Sequence, residues 1–117
     1  IEKIPLFLNK ARKSLTDFHK NNILIFGHLA EGNLHYNISK PKTMSVLVFN
    51  KLHKKVNSNI FNLVHELGGS FSAEHGIGLI KKKEFKKYTS KEEFILKYNL
   101  KKLLDPNNIM NPGKIFN

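Results

Sequence analysis

Cysteine is absent from this 117-residue chain and arginine nearly so, Arg12 being the one arginine among twenty basic residues. The first absence excludes disulfides, thiolate metal sites and cysteine nucleophiles from the segment, and leaves histidine and carboxylate chemistry open. The second bears on partners. A formal charge of +11 ordinarily raises nucleic acid or an anionic surface as a ligand. Specific readers of bases and phosphates, however, lean on the forked guanidinium. Lys81, Lys82, Lys83, Lys86 and Lys87 therefore read as a solvated face able to attract an anionic substrate or a partner domain, and no nucleic acid is expected. No run reaches the roughly 18 apolar residues that a membrane-spanning helix needs. A cytoplasmic chain without a transmembrane segment is expected, and peripheral membrane association is compatible with it. The length suits one modest domain. An amphipathic segment is already under way at Ile4, Leu6 and Phe7, as though the chain were entered partway.

What is present is a regular alternation of helix and strand signals. Leu6, Ala11, Leu15 and Phe18 fall near helical spacing and Pro5 suits a first turn, which predicts a helix from Pro5 to about Lys20, broken by Asn21 and Asn22. The apolar run Ile23-Leu24-Ile25-Phe26 and the alternating Asn33 to Ser39 read as two strands. A long helix is predicted from about Thr43, with an apolar face of Val46, Val48, Phe49, Leu52, Val56, Ile60, Leu63, Val64 and Leu67, stopped by Gly68-Gly69. Ser70-Phe71-Ser72 is read as a short third strand. A basic helical stretch follows, then a helix over Ser90 to Leu104 begun by Ser90 with Glu93 three residues on, then a tail turned by Pro106 and Pro112. The order implies an α+β fold, an antiparallel sheet with helices packed on one face.

Chemistry-bearing residues concentrate in two glycine-containing segments. In Gly27-His28-Leu29-Ala30-Glu31-Gly32-Asn33-Leu34-His35, a hairpin turning on Glu31-Gly32 would set His28 directly opposite His35. Opposed Cβ atoms lie about 4.5–5.5 Å apart, which lets two imidazoles converge on one metal ion. Glu31 suits the required positive φ poorly, so a longer turn is the alternative. Glu74 offers a third donor, and two imidazoles with one carboxylate fit zinc, manganese or iron; histidines packed in a sheet beside a surface Glu74 are the plainer reading. His75 follows directly, so that one residue of the pair can bind metal while its neighbour faces elsewhere as a base. His19, His53 and His65 sit on predicted helices and read as structural. Gly76-Ile77-Gly78 lacks the third glycine and the strand-helix-strand setting of a dinucleotide fingerprint.

Three segments in order, Gly27 to Asn37, Gly68 to Gly78 and Leu104 to Lys114, resemble the C-terminal region of FAD-linked oxidases of the vanillyl-alcohol-oxidase type, nearest to the D-lactate, D-2-hydroxyglutarate and glycolate dehydrogenases. The resemblance implies that residues 1–117 are a C-terminal oxidase domain whose N-terminal FAD-binding domain lies elsewhere. It implies FAD as cofactor and a divalent metal, most often zinc, on His28, His35 and Glu74. His75 would be the base for the substrate hydroxyl, Asn37 a substrate contact, Asn33 a pocket residue and Asn111 a residue near the flavin. A small 2-hydroxyacid is the implied substrate, and an electron acceptor after the flavin is left open. The basic residues that grip the substrate carboxylate in such enzymes fall upstream of the matched region, so these residues alone are expected to be inactive. Ala30-Glu31 departs from the family's Gly-Asp and touches the turn rather than the ligands. Two other classes stay open from the residues alone. A non-haem iron oxygenase shares the two-histidine, one-carboxylate set but needs more strands than are predicted; the other is a noncatalytic basic binding module.

Overall fold

The computed structural model describes residues 1–18 and 22–116; His19, Lys20 and Asn21, where the first helix was expected to end, lie outside them. The chain divides into two compact units, Ile1–Phe71 and Ser72–Asn117.

In the first unit α1 (Ile4–Lys13), β1 (Ile23–His28), β2 (Asn33–Ile38) and α2 (Val46–Glu66) follow in order. The fold is α+β, as the sequence implied. α1 stops earlier than the spacing of Leu15 and Phe18 suggests. Its C-cap is Ser14, and the chain continues through turns closed by Leu15 N–H to Arg12 O (3.1 Å) and Phe18 N–H to Leu15 O (2.9 Å). Both side chains still reach the core, which they share with Ala11, Val56, Ile60 and Leu63. α2 starts at Val46 because Ser45 caps it, its Oγ accepting from the Val48 N–H at 3.3 Å. Only the stripe from Phe49 and Leu52 through Leu63 and Val64 to Leu67 faces the core; Val46 and Val48, expected on that face, are exposed. The helix closes with a Schellman pair, Gly69 N–H to Val64 O at 2.8 Å and Gly68 N–H to His65 O at 2.9 Å, with Gly68 at φ 73°. Lys3 Nζ donates to the Leu67 carbonyl at 2.8 Å, tying this end to the start of α1.

Among the described residues the sheet has two strands, β1 antiparallel to β2. The expected third strand at Ser70-Phe71-Ser72 does not form. Phe71 instead packs against Phe61 of α2, ring centres 5.4 Å apart, and three residues are at the short limit for a strand. The register is Ile23 with Ile38, Ile25 with Tyr36, Phe26 with His35 and His28 with Asn33. Alternation then puts Ile23, Tyr36 and Ile38 on the face that packs against the helical core. Phe7 of α1 meets Tyr36 edge to face at 5.9 Å. Leu24, Phe26, His28, Asn33, His35 and Asn37 occupy the other face.

The second unit contains α3 (Lys82–Tyr88) and α4 (Lys91–Leu104). Ser90 Oγ caps α4 by accepting from the Glu93 N–H at 3.1 Å, as the spacing predicted. Phe85, Phe94, Tyr98 and Phe116 form an aromatic cluster with ring centres 5.5 to 6.0 Å apart. The tail folds back onto it: Ile115 N–H reaches Gly78 O at 3.0 Å, and Lys82 Nζ reaches the carbonyls of Gly113 (3.0 Å) and Phe116 (3.4 Å). Asp105 is buried and gathers the start of the tail. It pairs with Lys101 and accepts the N–H groups of Ile109 (2.9 Å) and Met110 (3.0 Å).

Candidate functional site

The hairpin connection decides where the two candidate imidazoles stand. A two-residue turn would force Glu31 to positive φ, which a residue with a Cβ resists. The chain instead makes a single 3-10 turn over Leu29–Glu31, and Gly32 alone takes the left-handed conformation, φ 71° and ψ 19°. The turn is closed by Gly32 N–H to Leu29 O at 3.0 Å. Two more residues in the connection shift the register by two residues. His28 therefore opposes Asn33 rather than His35, and His35 opposes Phe26.

This shift leaves the face unchanged, because residues two apart on a strand project to the same side. His28 and His35 become diagonal neighbours, ring centres 6.2 Å apart. Two imidazoles bound to one tetrahedral zinc through bonds of about 2.0–2.1 Å would have ring centres roughly 5 Å apart. The observed spacing is about a side-chain rotation from that. His35 is half-buried and lies flat on Phe26, centres 4.8 Å apart and planes 17° from parallel, so its ring plane is fixed by packing. His28 is exposed. Asn37 follows His35 by two residues on the same face and is exposed; Asn33 precedes it by two. The alternation of β2 thus puts Asn33, His35 and Asn37 in one row.

Gly27 makes the close rung possible. A Cβ there would lie 2.2 Å from the carbonyl oxygen of Asn33 and 3.0 Å from Leu34 Cα, so only glycine admits this approach of the strands.

The second unit carries Glu74 and His75 on an irregular segment before α3. His75 Nε2 lies 3.8 Å from Glu74 Oε2, with the His75 side chain 79% and that of Glu74 38% exposed. The segment reverses through Gly76 (φ 67°) and Gly78 (φ 56°). Ser72 Oγ donates to Gly76 O at 2.5 Å and accepts from Lys81 Nζ at 3.0 Å. Asn111 is exposed and has φ 50°, a conformation that asparagine tolerates better than most residues, so the backbone supplies its own reason for asparagine there. Of the other histidines, His53 lies on α2 with Nδ1 3.4 Å from Asn57 Nδ2 and its ring against Phe49, the structural role expected. His65 also lies on α2.

Two features escaped the sequence reading. The stacking of Phe26 beneath His35 follows from the register and could be found only with the turn length in hand. The Lys81 to Ser72 bond was hidden in a lysine run that looks uniform.

Comparison with known proteins places the chain. The family model for the C-terminal domain of FAD linked oxidases matches residues 1–115. A D-2-hydroxyglutarate dehydrogenase of Xanthomonas citri is 38% identical over 117 residues, covering 99% of this chain and 25% of the relative. The mitochondrial D-2-hydroxyglutarate dehydrogenase of Arabidopsis thaliana is 36% identical over 115 residues, 98% of this chain and 19% of the relative. A D-lactate dehydrogenase of Archaeoglobus fulgidus is 33% identical over 93 residues, 80% of this chain and 20% of the relative. The chain thus spans a quarter or less of the length of these relatives. No solved structure is a significant match.

Proposed function

Because the chain belongs to the family of FAD linked oxidases, as their C-terminal domain, we propose that it supplies the metal- and substrate-binding part of an FAD-dependent dehydrogenase oxidising a D-2-hydroxyacid to the 2-oxoacid. The substrate is of the class named for its relatives, D-2-hydroxyglutarate or D-lactate. The observation that carries this reading is the hairpin face on which His28, His35 and Asn37 stand together. Two imidazoles with one carboxylate are a donor set whose mixed nitrogen and oxygen character suits zinc.

A divalent cation on His28, His35 and Glu74 would supply a Lewis acid for the 2-hydroxyl, and FAD, held mainly by a domain outside these residues, would supply the hydride acceptor. The chain's own residues do the rest. His75 accepts the hydroxyl proton, which an imidazole does readily near neutral pH. Asn37 hydrogen-bonds the substrate and thereby orients its reacting carbon. Asn111 would stand beside the flavin. Phe26 holds the plane of His35, so the ligand is in place before substrate arrives. Without the flavin-binding part these residues are inactive.

Metal analysis of the full-length protein tests the ligand set. Substituting His28, His35 or Glu74 lowers the metal-to-protein ratio; an unchanged ratio refutes the assignment. His75→Gln keeps the metal and loses about 10²- to 10⁴-fold in turnover, and retained turnover removes it as the base.

A further inference from the structure

Glu74 and His75 sit on residues 73–81, a stretch without helix or strand, so no backbone ladder holds them. Gly76 and Gly78 let it reverse, yet a Cβ built on either meets nothing within 4 Å. Their glycines serve backbone conformation rather than close packing, and a segment of that kind is loose unless something ties it. The Ile115 N–H to Gly78 O bond holds its far end, and a relay of two side chains spans the part that bears Glu74 and His75. Lys81 is the residue immediately before α3, and its carbonyl accepts the Phe85 N–H at 2.8 Å. Its ammonium donates to Ser72 Oγ at 3.0 Å, and the Ser72 hydroxyl donates to Gly76 O at 2.5 Å. A hydroxyl that accepts from a cation becomes a stronger donor, so the two bonds reinforce each other. The relay closes a ring from the helix start, through Ser72, to the carbonyl just past His75.

We propose that Lys81 and Ser72 are positioning residues that fix the segment bearing Glu74 and His75, an inference that rests on the reading of Glu74 as a metal ligand. Lys81 is suited to this by being half-buried, whereas its neighbour Lys82 is spent on the tail carbonyls. The role needs a donor of lysine's reach at position 81 and a hydroxyl at position 72; neither group touches the substrate.

The test is a Co²⁺ titration of the metal-free full-length protein, followed by visible absorption, with hydrogen exchange of the backbone of residues 72–78 measured in parallel. Lys81→Met and Ser72→Ala are each expected to weaken Co²⁺ binding about 10- to 100-fold and to speed exchange across the segment. The double variant should be no worse than either single one, because both changes break the same relay. Lys81→Arg and Ser72→Thr should restore wild-type affinity, and all variants should keep the wild-type thermal transition. Should Lys81→Met lower that transition, Ser72→Ala, a smaller change, carries the comparison. Wild-type affinity or unchanged exchange in Lys81→Met and Ser72→Ala overturns the proposal, as does an additive double variant. Co²⁺ binding that Glu74→Gln abolishes while Lys81→Met leaves intact overturns this proposal alone. A wild-type protein that takes up no Co²⁺ overturns the metal reading and the proposal with it.

Discussion

Replacing Gly27 by alanine should be the most damaging single methyl added to the hairpin. The new Cβ would sit 2.2 Å from the Asn33 carbonyl oxygen, where a carbon and an oxygen normally stay about 3.3 Å or more apart. Both clashing groups are backbone, so neither can rotate away. The strands must part by about 1 Å, enough to break the ladder hydrogen bonds at that rung. Overpacking costs about 1–3 kcal/mol, and one or two lost bonds add about 0.5–1.5 kcal/mol each. A destabilisation of roughly 2–5 kcal/mol follows from these two effects. Gly32→Ala is the control: the nearest atom to its new Cβ is 3.5 Å away, so only the φ of 71° is penalised, at about 1–2 kcal/mol. Urea unfolding followed by far-ultraviolet circular dichroism would rank the two. The rung at Gly27 lies between those that carry His35 and His28, so metal affinity should fall with stability in the first variant. If Gly27→Ala proves no worse than Gly32→Ala, the close approach of the strands is not what the glycine is for.

Tyr36→Phe should stabilise the protein, because the Tyr36 hydroxyl is buried without a hydrogen-bond partner among the described residues; such a group costs about 1–3 kcal/mol, and a lower urea midpoint would count against this. Leu63→Ala, in the core of the first unit, should cost about 2–5 kcal/mol by the same measurement, and a cost under about 1 kcal/mol would mean the helices do not pack as described. Asp105 is held below the usual carboxylate range by its hydrogen bond from Lys101, aided by the Ile109 and Met110 N–H groups. A depressed folded-state pKa means the unfolded chain takes up the proton more readily. The contribution of Asp105 to stability is therefore complete above about pH 4 and is lost as pH falls through the lowered value. Asp105→Asn should flatten the acid limb of the stability profile in that window, and an unaltered limb would refute the assignment.

How much of this was legible in the sequence depended on whether the signal was local. Ser90 with Glu93 marks the start of α4 and Gly68-Gly69 the end of α2, because caps and left-handed closures involve residues a few positions apart. The strands were legible, β1 from its apolar run and β2 from its alternation, but their register was not, since it turned on whether Glu31 or Gly32 alone would take positive φ. Leu15 and Phe18 show the same limit: helical spacing says that both are buried, not that a helix buries them. Phe71 was read as strand because its packing partner, Phe61, lies ten residues earlier. Within the candidate site, His28, His35, Glu74 and His75 were found as residue types in motifs. The groups that hold two of those segments, Phe26 and Lys81, carry no distinctive chemistry of their own and became visible only through contact.

The two-stranded sheet also has a colloidal consequence. Each described strand has one side paired and the other bordered by no described strand, while Leu24 and Phe26 stand exposed between them and solvent. Unpaired strand borders beside apolar side chains recruit further strands from whatever chain is nearest. Handled at high concentration as these residues alone, the hairpin would seed self-association that depends on chain concentration. The large positive charge would oppose it in dilute buffer and cease to do so once salt screens the lysines.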